Sequence, residues 1–195
     1  MNICLFAASS NSLDKIYYDE AARLGAEIGK RGWTLIYGGS DRGLMKACAE
    51  AVLANGGKLT GIAPEFFTDF GVLSNKCSEF IYTETMSERK QRMEDMADAF
   101  IVLPGGIGTF DEFFETLTLR QLAVHTKPIA LVNTAGYYDL MVKMMEDSAR
   151  RGFMSEKCLE IFSLCATPEE AAEYIEGAEI PKANGINLAG YSKRG

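Results

Sequence analysis

Short apolar runs alternate along this chain with longer stretches in which apolar residues recur every three or four positions. The run over 3–8 ends in the polar turn Ser9-Ser10-Asn11-Ser12, which predicts a buried strand and a loop. Over 13–30, Ile16, Tyr17, Ala21, Leu24 and Ile28 fall at helical spacing, and Gly32 marks the stop. The same reading predicts strands over 33–37, 58–63, 80–83, 99–103 and 128–132. It predicts helices over 43–54, 87–98, 110–124 and 137–151, with a last strand and helix around 162–175. Residues 64–78 read as irregular, with aromatics at Phe66, Phe67 and Phe70. Strands alternating with helices predict the α/β class, a Rossmann-like doubly wound parallel sheet with helices on both faces. A single domain is expected over 1–176. The Gly-, Asn- and Lys-richer tail over 177–195 is expected to be loosely ordered, or docked on the body or a partner chain.

Composition narrows the chemistry. The chain has 195 residues, with Lys+Arg 20, Asp+Glu 27, a formal net charge of -7 and one histidine. That balance speaks against broad nucleic-acid binding, which needs a basic surface. The lone His125 excludes a multi-histidine metal cage and an H-E-x-x-H site. The five cysteines (Cys4, Cys48, Cys77, Cys158, Cys165) form no C-x-x-C pair, which fits a reducing cytoplasm better than a disulfide scaffold. The start, Met1-Asn2-Ile3-Cys4-Leu5-Phe6, reads as no signal peptide, and no apolar run approaches the ~20 residues of a membrane span.

Ligands of open parallel sheets sit at the carboxyl ends of the strands, where strand order reverses. Three loops are therefore candidates: the one beginning Ser9-Ser10, the one beginning Gly38-Gly39, and Gly105-Gly106-Ile107-Gly108-Thr109. Glycines let backbone amides close on a ligand, and the following helix offers free N–H donors, a seat for phosphate. The plainer reading is that glycines make tight turns. A P-loop Gly-Lys-Ser/Thr is absent. The third glycine of a dinucleotide fingerprint is replaced by Asp111, and no acidic residue ends the next strand, so a mononucleotide fits better than NAD.

On the helix predicted over 87–98, Met86, Arg89, Lys90, Met93, Met96 and Ala97 share one stripe. Two cations thus lie on an inward face. Either they snorkel to water or they point into the ligand crevice. Arg92 and Glu94 fall on the solvated side. Thr109-Phe110-Asp111-Glu112 fits a capping box, as does Thr167-Pro168-Glu169-Glu170, so Glu112 is open to a capping or a catalytic reading. His125 reads as a histidine at the negative end of a helix dipole. Leu140-Met141-Val142-Lys143-Met144-Met145 reads as core or interface, with core the preferred reading.

Met86-Ser87-Glu88-Arg89-Lys90 and Pro104-Gly105-Gly106-Ile107-Gly108-Thr109-Phe110-Asp111-Glu112 together resemble the LOG family, the cytokinin riboside 5′-monophosphate phosphoribohydrolases, marked by P-G-G-x-G-T-x-x-E. Tyr37-Gly38-Gly39 with Gly43-Leu44-Met45 is similar to that family's Y-G-G-G-x-x-G-L-M stretch, and Phe6-Ala7-Ala8-Ser9-Ser10 to its C-G-S-S turn. The chain departs from the pattern at Ser40, Lys46 and Ala8. The superfamily also contains nucleotide-binding proteins and molybdenum-cofactor carriers, so a non-catalytic carrier is the alternative. Members are often labelled lysine decarboxylases, but nothing in the residues supports a pyridoxal phosphate site.

The resemblance implies hydrolysis of the N-glycosidic bond of a nucleoside 5′-monophosphate to an adenine-type base and ribose 5-phosphate. Carried over by residue, it implies Arg89 and Glu112 as the catalytic pair. It implies Lys90, Gly105, Gly106, Ile107, Gly108 and Thr109 as substrate-binding positions, with Ser9, Gly38 and Gly39 joining them from the other two loops. A carboxylate near the anomeric carbon would stabilise an oxocarbenium-like transition state and orient water. Arg89 would hold substrate oxygens, position Glu112 or donate to the departing base. This chemistry needs no metal and no cofactor, and the family implies a homodimer.

Overall fold

The computed structural model describes residues 1–178. Among them, seven strands form one sheet: β1 (Asn2–Phe6), β2 (Thr34–Tyr37), β3 (Lys58–Pro64), β4 (Glu79–Thr83), β5 (Ala99–Val102), β6 (Ile129–Val132) and β7 (Ser163–Cys165). Every pairing is parallel, in the order β4-β3-β2-β1-β5-β6-β7. The inner strands, buried on both faces, read as continuous apolar runs, which is why the apolar segments located them, whereas the edge strands β4 and β7 are partly exposed.

Six α-helices connect them: α1 (Lys15–Lys30), α2 (Gly43–Ala54), α3 (Met86–Met96), α4 (Ile107–Gln121), α5 (Asp139–Arg150) and α6 (Pro168–Gly177). Side chains alternate across each strand, so the sheet splits the core in two. Ile3, Leu5, Leu35 and Ile101 pack with Leu24 and Ile28 of α1, Val52 of α2 and Ile175 of α6. Cys4, Phe6, Ile36, Phe100 and Val102 pack on the other face with Met93 of α3, Phe113 of α4 and Met145 of α5. This is the doubly wound α/β arrangement.

Several expectations shift in detail. Helix α4 begins at Ile107 rather than at 110, which puts Glu112 in its second turn. The irregular segment contains a 3₁₀ turn, Glu65–Phe70, and then crosses the ends of the strands. It is pinned there by Asp41 N–H donating to Val72 O (2.8 Å) and Ser74 N–H donating to Gly39 O (2.7 Å). Leu140–Met145 is not uniformly core. Met145 is buried, whereas Leu140 is 80% and Met144 55% exposed, because the row 140/144 is turned roughly 100° around α5 from the row 141/145 that faces the core. The tail expected from 177 lies outside the described residues apart from Gly177, which ends α6, and Ala178.

Candidate active site

The chain builds outward from β1 in two directions. β2, β3 and β4 follow on one side, and β5, β6 and β7 on the other. The switch point therefore lies between β1 and β5, where loops leave in opposite directions and a crevice opens. A cavity of about 750 Å³ occupies that place. Its lining includes Ser9 after β1, Gly38 after β2, Arg89 on α3, and Gly106, Ile107, Gly108, Thr109 and Glu112 at the start of α4.

The glycine loop is shaped to present donors. Gly106 caps α4, and Phe110 N–H donates to Gly106 O (3.0 Å) to close the first turn. The amides of Ile107, Gly108 and Thr109 precede that bond and have no acceptor among the described residues, as the opening of a helix leaves them. Thr109 is buried with its side chain against Gly105, where an added Cβ would lie 2.1 Å from Thr109 Oγ1. Gly105 thus makes room for Thr109, and it does not itself line the cavity. From the next loop, Tyr137 donates its hydroxyl to Gly105 O (2.6 Å), and buried Tyr138 donates to Leu103 O (2.7 Å). Asn133 Oδ1 accepts from Tyr138 N–H (2.7 Å) and sets that pair. These braces have no spacing signature and were missed in the sequence.

The early start of α4 corrects the capping reading. Thr109 lies inside the first turn and Glu112 in the second, so Glu112 is no cap. The control motif is one: Thr167 Oγ1 accepts from Glu170 N–H (3.2 Å) while Glu170 Oε2 accepts from Ala166 N–H (2.7 Å). A third copy of the spacing, Thr85-Met86-Ser87-Glu88, makes the same reciprocal bonds at the start of α3. That box sets where Arg89 emerges.

Freed from capping, Glu112 turns to Arg89. Arg89 Nη1 donates to Glu112 Oε1, and Arg89 Nε donates to Ile62 O (3.4 Å). Arg89 therefore does not snorkel; its head lies in the crevice. Gly38 makes room for it, since a Cβ there would stand 2.5 Å from Arg89 Nη2. Burial pushes the Glu112 carboxyl above its ordinary value, with Arg89 working against the rise. The result is an ion pair holding a carboxylate of enhanced basicity at the cavity wall.

Lys90 is placed differently. It donates to Asp111 Oδ2 (3.0 Å) and bonds Glu115 Oε2 (2.5 Å), and it does not line the cavity. Gly39 also sits behind the wall. Glu94, expected in solvent, is half-buried near His125. His125 does not carry a dipole-stabilised charge. Its Nε2 faces Thr116 O (3.1 Å), its Nδ1 accepts from Lys127 N–H (3.2 Å), and burial lowers its pKa to about 4, so it is neutral. The rest of the wall is largely apolar, with Met45, Phe67, Phe70, Val72, Leu73 and Met86, and Ser40 and Arg42 add polar groups to it. The aromatics of 64–78 were visible in the sequence, but their place over the strand ends was not. Among the described residues, no group of three or more His, Cys, Asp or Glu side chains is gathered as metal ligands would be. No helix there is long and apolar enough to cross a membrane.

A family described as "Possible lysine decarboxylase" matches residues 45–175. The cytokinin riboside 5′-monophosphate phosphoribohydrolase LOG2 of Arabidopsis thaliana is 35% identical over 180 residues, covering 92% of this chain and 84% of that protein. The cytokinin riboside 5′-monophosphate phosphoribohydrolase of Mycobacterium tuberculosis is 42% identical over 140 residues, covering 72% of this chain and 75% of its own. Among solved structures, the molybdenum cofactor binding protein of Rippkaea orientalis aligns with a TM-score of 0.69 at 22% identity, over 90% of this chain and 94% of that one. That last likeness is one of fold.

Proposed function

This chain belongs to the LOG family of cytokinin riboside 5′-monophosphate phosphoribohydrolases, and from that membership we propose that it hydrolyses the N-glycosidic bond of a nucleoside 5′-monophosphate. The substrate is AMP or a cytokinin riboside 5′-monophosphate, and the products are the adenine-type base and ribose 5-phosphate. The observation that carries this reading is the buried Arg89–Glu112 pair beside three unbonded amides at a helix start.

The 5′-phosphate sits on the amides of Ile107, Gly108 and Thr109, which offer N–H donors and the positive end of the α4 dipole. Ser9, Gly38 and Gly106 complete the substrate-facing surface, while Gly39, Gly105 and Lys90 shape it from behind. As the bond to the base breaks, positive charge grows at the anomeric carbon. The Glu112 carboxylate faces that charge and takes a proton from the attacking water. The Arg89 guanidinium orients Glu112 and stabilises negative charge on the leaving base as a fixed hydrogen-bond donor. The proton lost by water reaches the base nitrogen through solvent or Glu112. The apolar wall of Phe67, Phe70 and Leu73 suits a purine face and an N6 substituent.

The description of lysine decarboxylase does not fit the cavity. A Schiff-base mechanism needs a lysine there, and among the described residues none lines it. Five free cysteines suit a reducing cytoplasm. A homodimer is also proposed. Ile107, 87% exposed beside Phe110 and Phe114, and Leu140 and Met144 on α5 supply apolar surface for a second copy, and light scattering on a sizing column reads the mass.

The function is tested by following base release from AMP and from N6-isopentenyladenosine monophosphate. Wild type is expected to release base, with Glu112→Gln slower by about a hundredfold or more. Ligand retained in stoichiometric amount without turnover would replace this reading with that of a carrier.

A further inference from the structure

Three charged side chains line the cavity among the described residues: Arg42, Arg89 and Glu112. The charge of Arg89 is matched by Glu112. Arg42, by contrast, is exposed, and its guanidinium makes no hydrogen bond or ion pair among the described residues. Its acidic neighbour Asp41 is held by Lys46 Nζ at 3.3 Å, so the local carboxylate is already answered. The backbone that carries Arg42 is fixed against the loop after β1. Gly43 N–H donates to Asn11 Oδ1 (2.9 Å) and Leu44 N–H donates to Ala8 O (2.9 Å), which places Arg42 beside the Ser9 loop.

The charge arithmetic of the site leaves a gap that this residue fills. A phosphate monoester carries about 1.5 to 2 negative charges at neutral pH. A helix start offers roughly half a positive charge. In a chain of formal net charge -7, the balance must come from a cation at the cavity itself.

We propose that Arg42 is the residue by which this chain selects a 5′-phosphorylated nucleoside over the uncharged nucleoside, its guanidinium supplying the charge that the loop amides lack. The inference rests on the nucleoside-monophosphate reading of the cavity and goes beyond it. Lys46 gains a role in it: by binding Asp41 it keeps the carboxylate from competing for Arg42.

The test compares Arg42→Ala and Arg42→Lys with Arg92→Ala, which removes the same charge from an exposed position on α3 outside the cavity. In Arg42→Ala, the KM for AMP is expected to rise about tenfold to a hundredfold more than the Ki of adenosine, with Arg42→Lys in between and Arg92→Ala like wild type. Calorimetric titration with ribose 5-phosphate reads the same contact without turnover, and Arg42→Ala is expected to bind it more weakly by a similar factor. The same affinity for ribose 5-phosphate in Arg42→Ala and wild type would overturn the proposal. A wild type that releases no base would remove the hydrolase reading, while the titration still decides the part played by Arg42. Arg42 is exposed, so thermal melting of the variants should match wild type and separate a binding defect from misfolding.

Discussion

Arg89 Nη1 donates to Glu112 Oε1 with both side chains about nine-tenths buried, at 10% and 11% exposure. Two buried charges compensate each other, and removing one strands the other. Arg89→Ala is therefore expected to cost about 3 kcal/mol in urea unfolding. Glu112→Gln, which keeps shape and hydrogen bonding, should cost less and act chiefly on rate. In the proposed role Glu112 must be ionised, so kcat/KM should fall as pH drops through the Glu112 pKa. Burial raises that value, so the acid limb should lie above the ordinary carboxylate value of 4.5. An acid limb at or below that value would show that Glu112 is not the base.

Gly38 is where the backbone gives way to Arg89. A methyl group at this position would stand 2.5 Å from Nη2, the mobile end of a long side chain, so Arg89 rather than the strand would move. Gly38→Ala should therefore fold, losing no more than about 1 kcal/mol, yet turn over at least about tenfold more slowly because the pair is displaced. Equal losses of stability and activity, or wild-type activity, would show that Gly38 is not there for Arg89.

The two halves of this site were unequally readable from the sequence. The inward stripe with Met93 carries Arg89 and Lys90 alike, and only the structure turns Arg89 to Glu112 and Lys90 away from the cavity. The T-x-x-E spacing misplaced Glu112, since Gly106-Ile107-Gly108 carries no polar cap signal and the helix start was read one turn late. Glycine is itself an acceptable N-cap, a residue that leaves no side-chain mark. Phe67, Phe70 and Leu73 recur every third residue, a spacing that matches neither strand nor α-helix, and only the passage of their segment over the strand ends brings them to the cavity. The sheet was read well because its short buried strands need only apolar runs, while Leu140 and Met144 show that an apolar residue in a helix need not face inward.

His125 should make the fold acid-sensitive. Its native pKa is lowered to about 4 by burial, from an ordinary value of 6.5. Between these values the unfolded chain binds the proton and the native one does not. The contribution is complete above about pH 6.5 and is lost as pH falls toward 4, on the order of 2 kcal/mol. His125→Gln should be less stable at pH 7, since it cannot bond both Thr116 O and Lys127 N–H, but its stability should fall less over that window than wild type's. Parallel wild-type and variant urea midpoints from pH 7 to 4 would refute this assignment.

Lys90 stands near Glu112 without lining the cavity. It bonds Asp111 and Glu115 from the outer side of α4, and both of those carboxylates are more exposed than Glu112. Its charge draws the Glu112 pKa down while Asp111 pushes it up. Lys90→Gln removes the downward pull and leaves the upward push, so the Glu112 pKa rises. The acid limb of kcat/KM should then move to higher pH, with little loss of rate on the alkaline side where Glu112 remains ionised. Stability should change by no more than about 1 kcal/mol, because the pair is partly exposed. A raised KM for AMP with an unmoved acid limb would instead assign Lys90 a direct contact with substrate.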